Sequence, residues 1–291
     1  MSFFLALCYN GKSIPKEKDF SPSEVKYMKK TPLLIFVATL VFAVAGFFLR
    51  LSQLSTELLP NGFLAEDSFL HIVLLVLTAV LLVGLALLLR PLEQRESCEN
   101  AFSSSPVPDV LLLVAALGLL VGSLMSFLAG SELPVASVSA PKMISLLNQA
   151  QAPLGLVSAG CVAAFAICRL LGKKPSAIFF MLVSIWLTVR LIVSFQHWNT
   201  DPSIHVYCYP LLASVCVMLG SFQLAGFSFG KGKRRISLFW CLSALFFCGI
   251  SVADSLRSEN SAQLVLALSL LLTMVASASQ LLFCPAVTEE S

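Results

Sequence analysis

Eight stretches of about 20 mostly apolar residues follow one another along this chain, and they constrain its fold more than any motif does. A helix of ~20 residues covers the roughly 30 Å hydrocarbon core of a bilayer and satisfies its own backbone N–H and C=O groups there. The stretches are predicted at Thr31 to Leu49, Phe69 to Leu89, Val110 to Ala129, Pro153 to Leu171, Ser176 to Gln196, His205 to Phe227, Ile236 to Ala253 and Ala262 to Phe283. Runs such as Ile72 to Leu87 do not alternate, which excludes the ~10-residue strands of an outer-membrane barrel. With 57% apolar residues, 12% charged residues and a mean hydropathy of +0.89, the chain lies far from soluble domains.

Charge then orients the segments. Lysine and arginine are retained on the cytoplasmic side of short loops. Of the 19 basic residues, six precede the first stretch, two (Arg90, Arg95) follow the second, three (Arg169, Lys173, Lys174) follow the fourth, and four (Lys231, Lys233, Arg234, Arg235) follow the sixth. The other side keeps only Arg50, Lys142, Arg190 and Arg257. The pattern predicts an all-α bundle of eight transmembrane helices with both termini cytoplasmic. It comprises an N-terminal tail over 1–30, one membrane domain over 31–284 and a C-terminal tail over 285–291.

The expected location is the plasma membrane, a bacterial inner membrane in particular, since no Asn-x-Ser/Thr acceptor occurs. Phe3 to Cys8 is read as a retained apolar run, because no basic residue precedes it and no small-residue cleavage site follows. A weak parallel repeat of four plus four helices is suggested by Phe48-Leu49-Arg50-Leu51 against Thr188-Val189-Arg190-Leu191. The alternative is that apolar helices resemble one another.

Punctuation between the stretches is local. Asn61-Gly62 suits a turn, Asp67-Ser68 a cap for the second helix, and Asp201-Pro202 a cap and first position for the sixth. The mildly apolar gap Gly130 to Ala152 has room for a short surface helix around Met143 to Leu147.

Gly118, Gly122, Ser126 and Gly130 recur every four residues and share one helix face. Small residues let two helices approach closely in lipid, so this face is read as a packing surface. The fourth helix, with Ala159, Gly160, Ala163 and Ala164, is its expected partner, and a dimer contact is the alternative.

One polar constellation is a candidate ligand site on the outer side. Arg190, Ser194, His197 and Asp201 fall on one face of a continued fifth helix, with Asp254, Arg257 and His71 expected at the same level. Tyr207 and Tyr209 join them from the sixth helix. Arg190 is expected to pair with Asp254. The bland alternative pairs Asp254 with Arg257 three residues on, lets Asp201 cap a helix, and lets Arg190 snorkel about 24 Å along its helix from Lys174. No charged residue or histidine is expected near the middle of any span, which disfavours a proton-coupled carrier or pump.

Other chemistry finds no support. HExxH, GxSxG and Walker patterns are absent, and Gly230-Lys231-Gly232-Lys233-Arg234-Arg235 lacks the phosphate-loop spacing and hydroxyl. Lys231, Lys233, Arg234 and Arg235 are read as a topogenic signal, or as a binder of anionic lipid headgroups. The nine cysteines form no CxxC pair, so no metal site, cofactor or disulfide framework is expected. Nucleic acid is not an expected partner; the bilayer, a small ligand on the outer side and another membrane protein are. The favoured function is a non-enzymatic small-ligand binding or transport component. The alternatives are a membrane scaffold or assembly subunit and, in third place, an intramembrane lipid-modifying enzyme using His197 or His205 with Arg190.

Overall fold

A computed structural model describes residues 22–57, 69–92, 102, 105–128, 142–172, 176–198, 204–258 and 260–283. Among them all regular structure is helical: α1 (Pro22–Thr56), α2 (Phe69–Leu88), α3 (Pro106–Leu128), α4 (Lys142–Leu170), α5 (Phe179–Trp198), α6 (Ile204–Gly226), a 3-10 turn at Phe227–Phe229, α7 (Arg234–Arg257) and α8 (Ser261–Leu282). Seven helices are long and apolar enough to cross a membrane, and α5 is apolar over the shorter segment Phe179–Phe195. The chain is thus a helical membrane bundle.

Several helices outrun their apolar stretches. α1 continues past Leu49 to Thr56, so Arg50 and Gln53 are helical, because both are fully buried against the bundle. α4 begins at Lys142 and runs through Pro153 without a break in helical assignment, so no separate surface helix forms at Met143 to Leu147. Proline there removes one N–H donor, and the turns on either side carry the helix on. α8 starts at a cap the sequence reading missed: the Asn260 side chain accepts from Gln263 N–H at 3.2 Å. Asn61-Gly62, Asp67-Ser68 and Asp201-Pro202 lie outside the described residues.

Six helices close a ring in which α3, α4, α5, α6, α7 and α8 each pack on the next and α8 returns to α3. α1 covers the outside of α7, and α2 rests mainly on α1. α7 is consequently the central element, with 78% of its span buried against 17% for α2. Helices surrounded on several sides carry no single apolar stripe, which fits the serines spread around α7 at Ser237, Ser243, Ser251 and Ser255. α2, by contrast, turns Ile72, Val76, Val80 and Val83 outward, the surface expected to face lipid.

Contacts at the helix ends show how the helices run. At the basic end Asp109 (start of α3) meets Arg169 (end of α4) and Gln280 (end of α8), Arg234 (start of α7) meets the Leu281 carbonyl, and Ser176 before α5 meets Ser228 after α6. At the opposite end Arg50 (end of α1) meets Asp254 (end of α7), and Leu70 (start of α2) meets Glu57 just past α1. Successive helices therefore run in alternate directions through these contacts.

Two small-residue seams hold the ring and its cover. On α3, a Cβ at Gly118 would collide with the Ser269 hydroxyl, and one at Gly122 would lie 2.8 Å from Leu266, so the glycine face packs on α8. This corrects the expectation of α4 as partner; α4 meets α3 elsewhere, where Gly155 faces Ser123 and Trp186. Ser126 returns its hydroxyl to the Gly122 carbonyl, and Gly130 lies outside the described residues. The second seam is reciprocal: Gly46 of α1 lies under Phe246 and Ile250, and Gly249 of α7 lies against Ala43.

Gly118→Val should lower the melting temperature of the detergent-purified protein, by roughly 1–3 kcal/mol of overpacking. Gly160→Val should leave it unchanged, because a side chain there meets nothing within 4 Å.

Candidate functional site

The Gly46–Gly249 seam sets the register that brings two charges together. One turn beyond Gly46, Arg50 is fully buried, and its Nε donates to Asp254 Oδ1 at 2.7 Å, five residues beyond Gly249. Its Nη1 donates to Gln53 Oε1 at 2.8 Å, and its guanidinium sits 4.9 Å from the centroid of the Tyr209 ring on α6. Cys208 lies within electrostatic reach of both charges and is exposed. Asp254 Oδ2 is buried without a hydrogen-bond partner among the described residues. Three helices are thus clamped by one ion pair from which water is largely excluded.

A second ion pair mirrors it at the basic end. Arg169 Nε donates to Asp109 Oδ1 at 2.7 Å, Gln280 Nε2 donates to the same oxygen at 2.6 Å, and the Arg169 guanidinium lies 5.6 Å from the Phe102 ring. Phe102 packs edge-on against Phe165 and Phe227, and Phe165 against Phe180. The loop from Gly230 to Arg235 joins this end. Gly230 has φ +63°, a left-handed turn position that favours glycine, and a Cβ on Gly232 would strike the Phe227 ring. Arg234 donates to the Leu281 and Leu282 carbonyls at 2.8 and 3.3 Å, and Arg235 donates to the Leu92 carbonyl. Arg234 thereby satisfies carbonyls at the end of α8, and Arg235 one in the turn that follows α2, while Lys231 and Lys233 are exposed.

Arg190, half-buried on α5, differs from the other inward arginines among the described residues. It is the twelfth residue of the 20-residue α5, about 16 Å from the first helical residue at ~1.5 Å per residue. α5 starts at Phe179 and ends at Trp198, so Arg190 stands near the middle of this helix. It shares a face with the buried Val183 and Leu187 and the half-buried Ser194. The guanidinium stands 5.9 Å from the Trp186 ring centroid, with Cys248 of α7 within electrostatic reach. Its Nη1 is enclosed and has no hydrogen-bond partner among the described residues. Trp186 is itself fixed, donating Nε1–H to the Gln151 carbonyl of α4 at 3.0 Å.

Asp254 therefore pairs with Arg50 rather than with Arg190 or Arg257, because α1 and not α5 packs along α7. Arg257 lies on the exposed side of the same helix end. Ser194 stays with Arg190; the side chains of His197, His205 and Tyr207 and all of Asp201 lie outside the described residues. His71 is half-buried on α2, whose neighbours are α1 and α7. Among the described residues no group of three His, Cys, Asp or Glu is placed to hold a metal ion. The sequence reading missed Gln53, Asp109, Arg169 and Gln280 as partners. Asp109 and Arg169 were signalled only as a lone carboxylate or guanidinium near an end of an apolar helix, and the amides of Gln53 and Gln280 carried no charge signal at all. The chain matches no family model, no curated protein and no solved structure.

Arg50→Met alone should cost about 3–5 kcal/mol in a denaturation experiment, because it strands the buried Asp254 carboxylate. The double variant Arg50→Met with Asp254→Leu should recover most of that loss.

Proposed function

We propose that this protein is a non-enzymatic component of the plasma membrane, a bacterial inner membrane in particular, that binds a small ligand or carries it across. The ligand enters at the end of the bundle opposite the basic loops. The observation that supports this reading is Arg190. Charge inside an apolar bundle is costly, and an intramembrane ionisable residue marks function by default. Arg50, Arg169 and Arg234 each have acceptors that account for them structurally, whereas Arg190 Nη1 has none among the described residues. Toward the end of the bundle, Gln53, Tyr209 and Asp254 Oδ2, which has no partner among the described residues, provide a polar rim from three helices.

The orientation that goes with it has both termini cytoplasmic and the whole chain from 31 to 284 as one eight-helix membrane domain. Support comes from the basic loops, which gather at the end formed by Arg169, Arg234 and Arg235, and from the alternating helix directions. The scaffold reading loses ground because the Gly118 face, its best surface for a partner, is occupied by α8.

Thermal-shift screening of the nanodisc-embedded protein against small anions, zwitterions and cations tests the function. At least one compound should raise the melting temperature of the wild type and act more weakly on Arg190→Ala or on the Arg50→Met, Asp254→Leu double variant. Identical responses from all three proteins, or no response from any, would reject it. For orientation, a cysteine at Lys231 in a cysteine-free background should resist a membrane-impermeant maleimide applied to intact cells and react after lysis. Labelling from outside would reverse the topology.

A further inference from the structure

We infer that the ligand is a small oxyanion, a carboxylate or a phosphate, held by the Arg190 guanidinium on α5, which packs on α6 and brings the guanidinium within electrostatic reach of Cys248 on α7. The inference rests on the ligand-binding reading above and narrows it to one chemistry at one residue.

What surrounds Arg190 makes the selection. Trp186 offers a ring face, which attracts a cation without neutralising it. From α7 comes the thiol of Cys248, itself within electrostatic reach of Cys216 on α6. No carboxylate among the described residues lies within electrostatic reach of the guanidinium. A cation would be repelled and a neutral ligand would leave the charge unmatched, so an anion is the complement that the described surroundings lack. The guanidinium is a planar fork of donors, which matches two oxygens of a carboxylate or phosphate better than a spherical halide. Trp186 cannot swing aside freely, since its Nε1–H is held by α4. Cys248 lies six residues before Asp254, about 9 Å deeper along α7, so the site sits inward of the Arg50–Asp254 clamp.

Trp186 is a built-in reporter. The variant Trp198→Phe, Trp240→Phe retains Trp186 as the single tryptophan. In phosphatidylcholine nanodiscs its fluorescence should change saturably with sodium acetate or sodium phosphate and not with sodium chloride at equal ionic strength. Arg190→Gln should abolish the response and Arg190→Lys should weaken it at least tenfold. Without added anion, Arg190→Gln should also melt higher than its parent, because a half-buried charge whose enclosed Nη1 has no partner among the described residues has been removed. The same titration in phosphatidylglycerol nanodiscs separates two sources of the oxyanion: a free anion still titrates, whereas a headgroup phosphate gives the saturated spectrum before any addition. A fluorescence response that survives Arg190→Gln, no response to either oxyanion in either lipid, or a lower melting temperature for Arg190→Gln would each overturn the inference. If a screened ligand instead binds through the rim with no dependence on Arg190, this inference falls while the ligand-binding reading stands.

Discussion

The bundle is organised around α7, and the Arg50–Asp254 pair holds α1 onto it. Two charges at 2.7 Å with almost no exposure can exist inside an apolar protein only if each supplies what the other has lost from water. Gln53 and the Tyr209 ring complete the shell around Arg50, so the pair links α1, α6 and α7 in one arrangement. Asp109, Arg169 and Gln280 do the same for α3, α4 and α8 at the other end. Together the two clusters tie six of the eight helices through charge and amide groups near the helix ends, and the span between them is packed by apolar and small side chains.

Small residues make those clusters geometrically possible. Gly46 and Gly249 let the backbones of α1 and α7 approach, and the arginine and aspartate that follow meet because that approach fixes the register. The contact of Gly118 and Gly122 with α8 closes the ring in the same manner. In a membrane, helices gain little from excluding lipid from one another, so close packing and polar links carry the association. Set against that economy, an arginine in the middle of α5 whose Nη1 has no partner among the described residues is a departure.

Much of the fold is readable along the chain. The helix count, their order and the gathering of basic loops at one end follow from apolar length and from lysine and arginine placement, which are local quantities. Helix ends were less legible: Arg50 and Gln53 look like loop residues by composition, yet burial against α7 keeps them helical to Thr56. Pro153 looks like a helix start, yet α4 runs through it. Of the candidate site, Arg190, Ser194 and Asp254 were recognisable as polar groups near one end, whereas their pairing was not. Asp254 had Arg257 three residues away and Arg190 at an apparently equal level, and it took neither.

That the chain forms a helical membrane bundle follows from its apolar segments alone, because crossing lipid demands long apolar stretches with internally satisfied backbones whatever their neighbours are. Tertiary structure alone decided which charges meet. Arg50 finds Asp254 across 204 positions because α1, and not α5, lies along α7. That adjacency depends on which helix faces fit at Gly46 and Gly249, a property of two surfaces brought together and not of either segment alone. The same packing leaves Arg190 without an acceptor among the described residues.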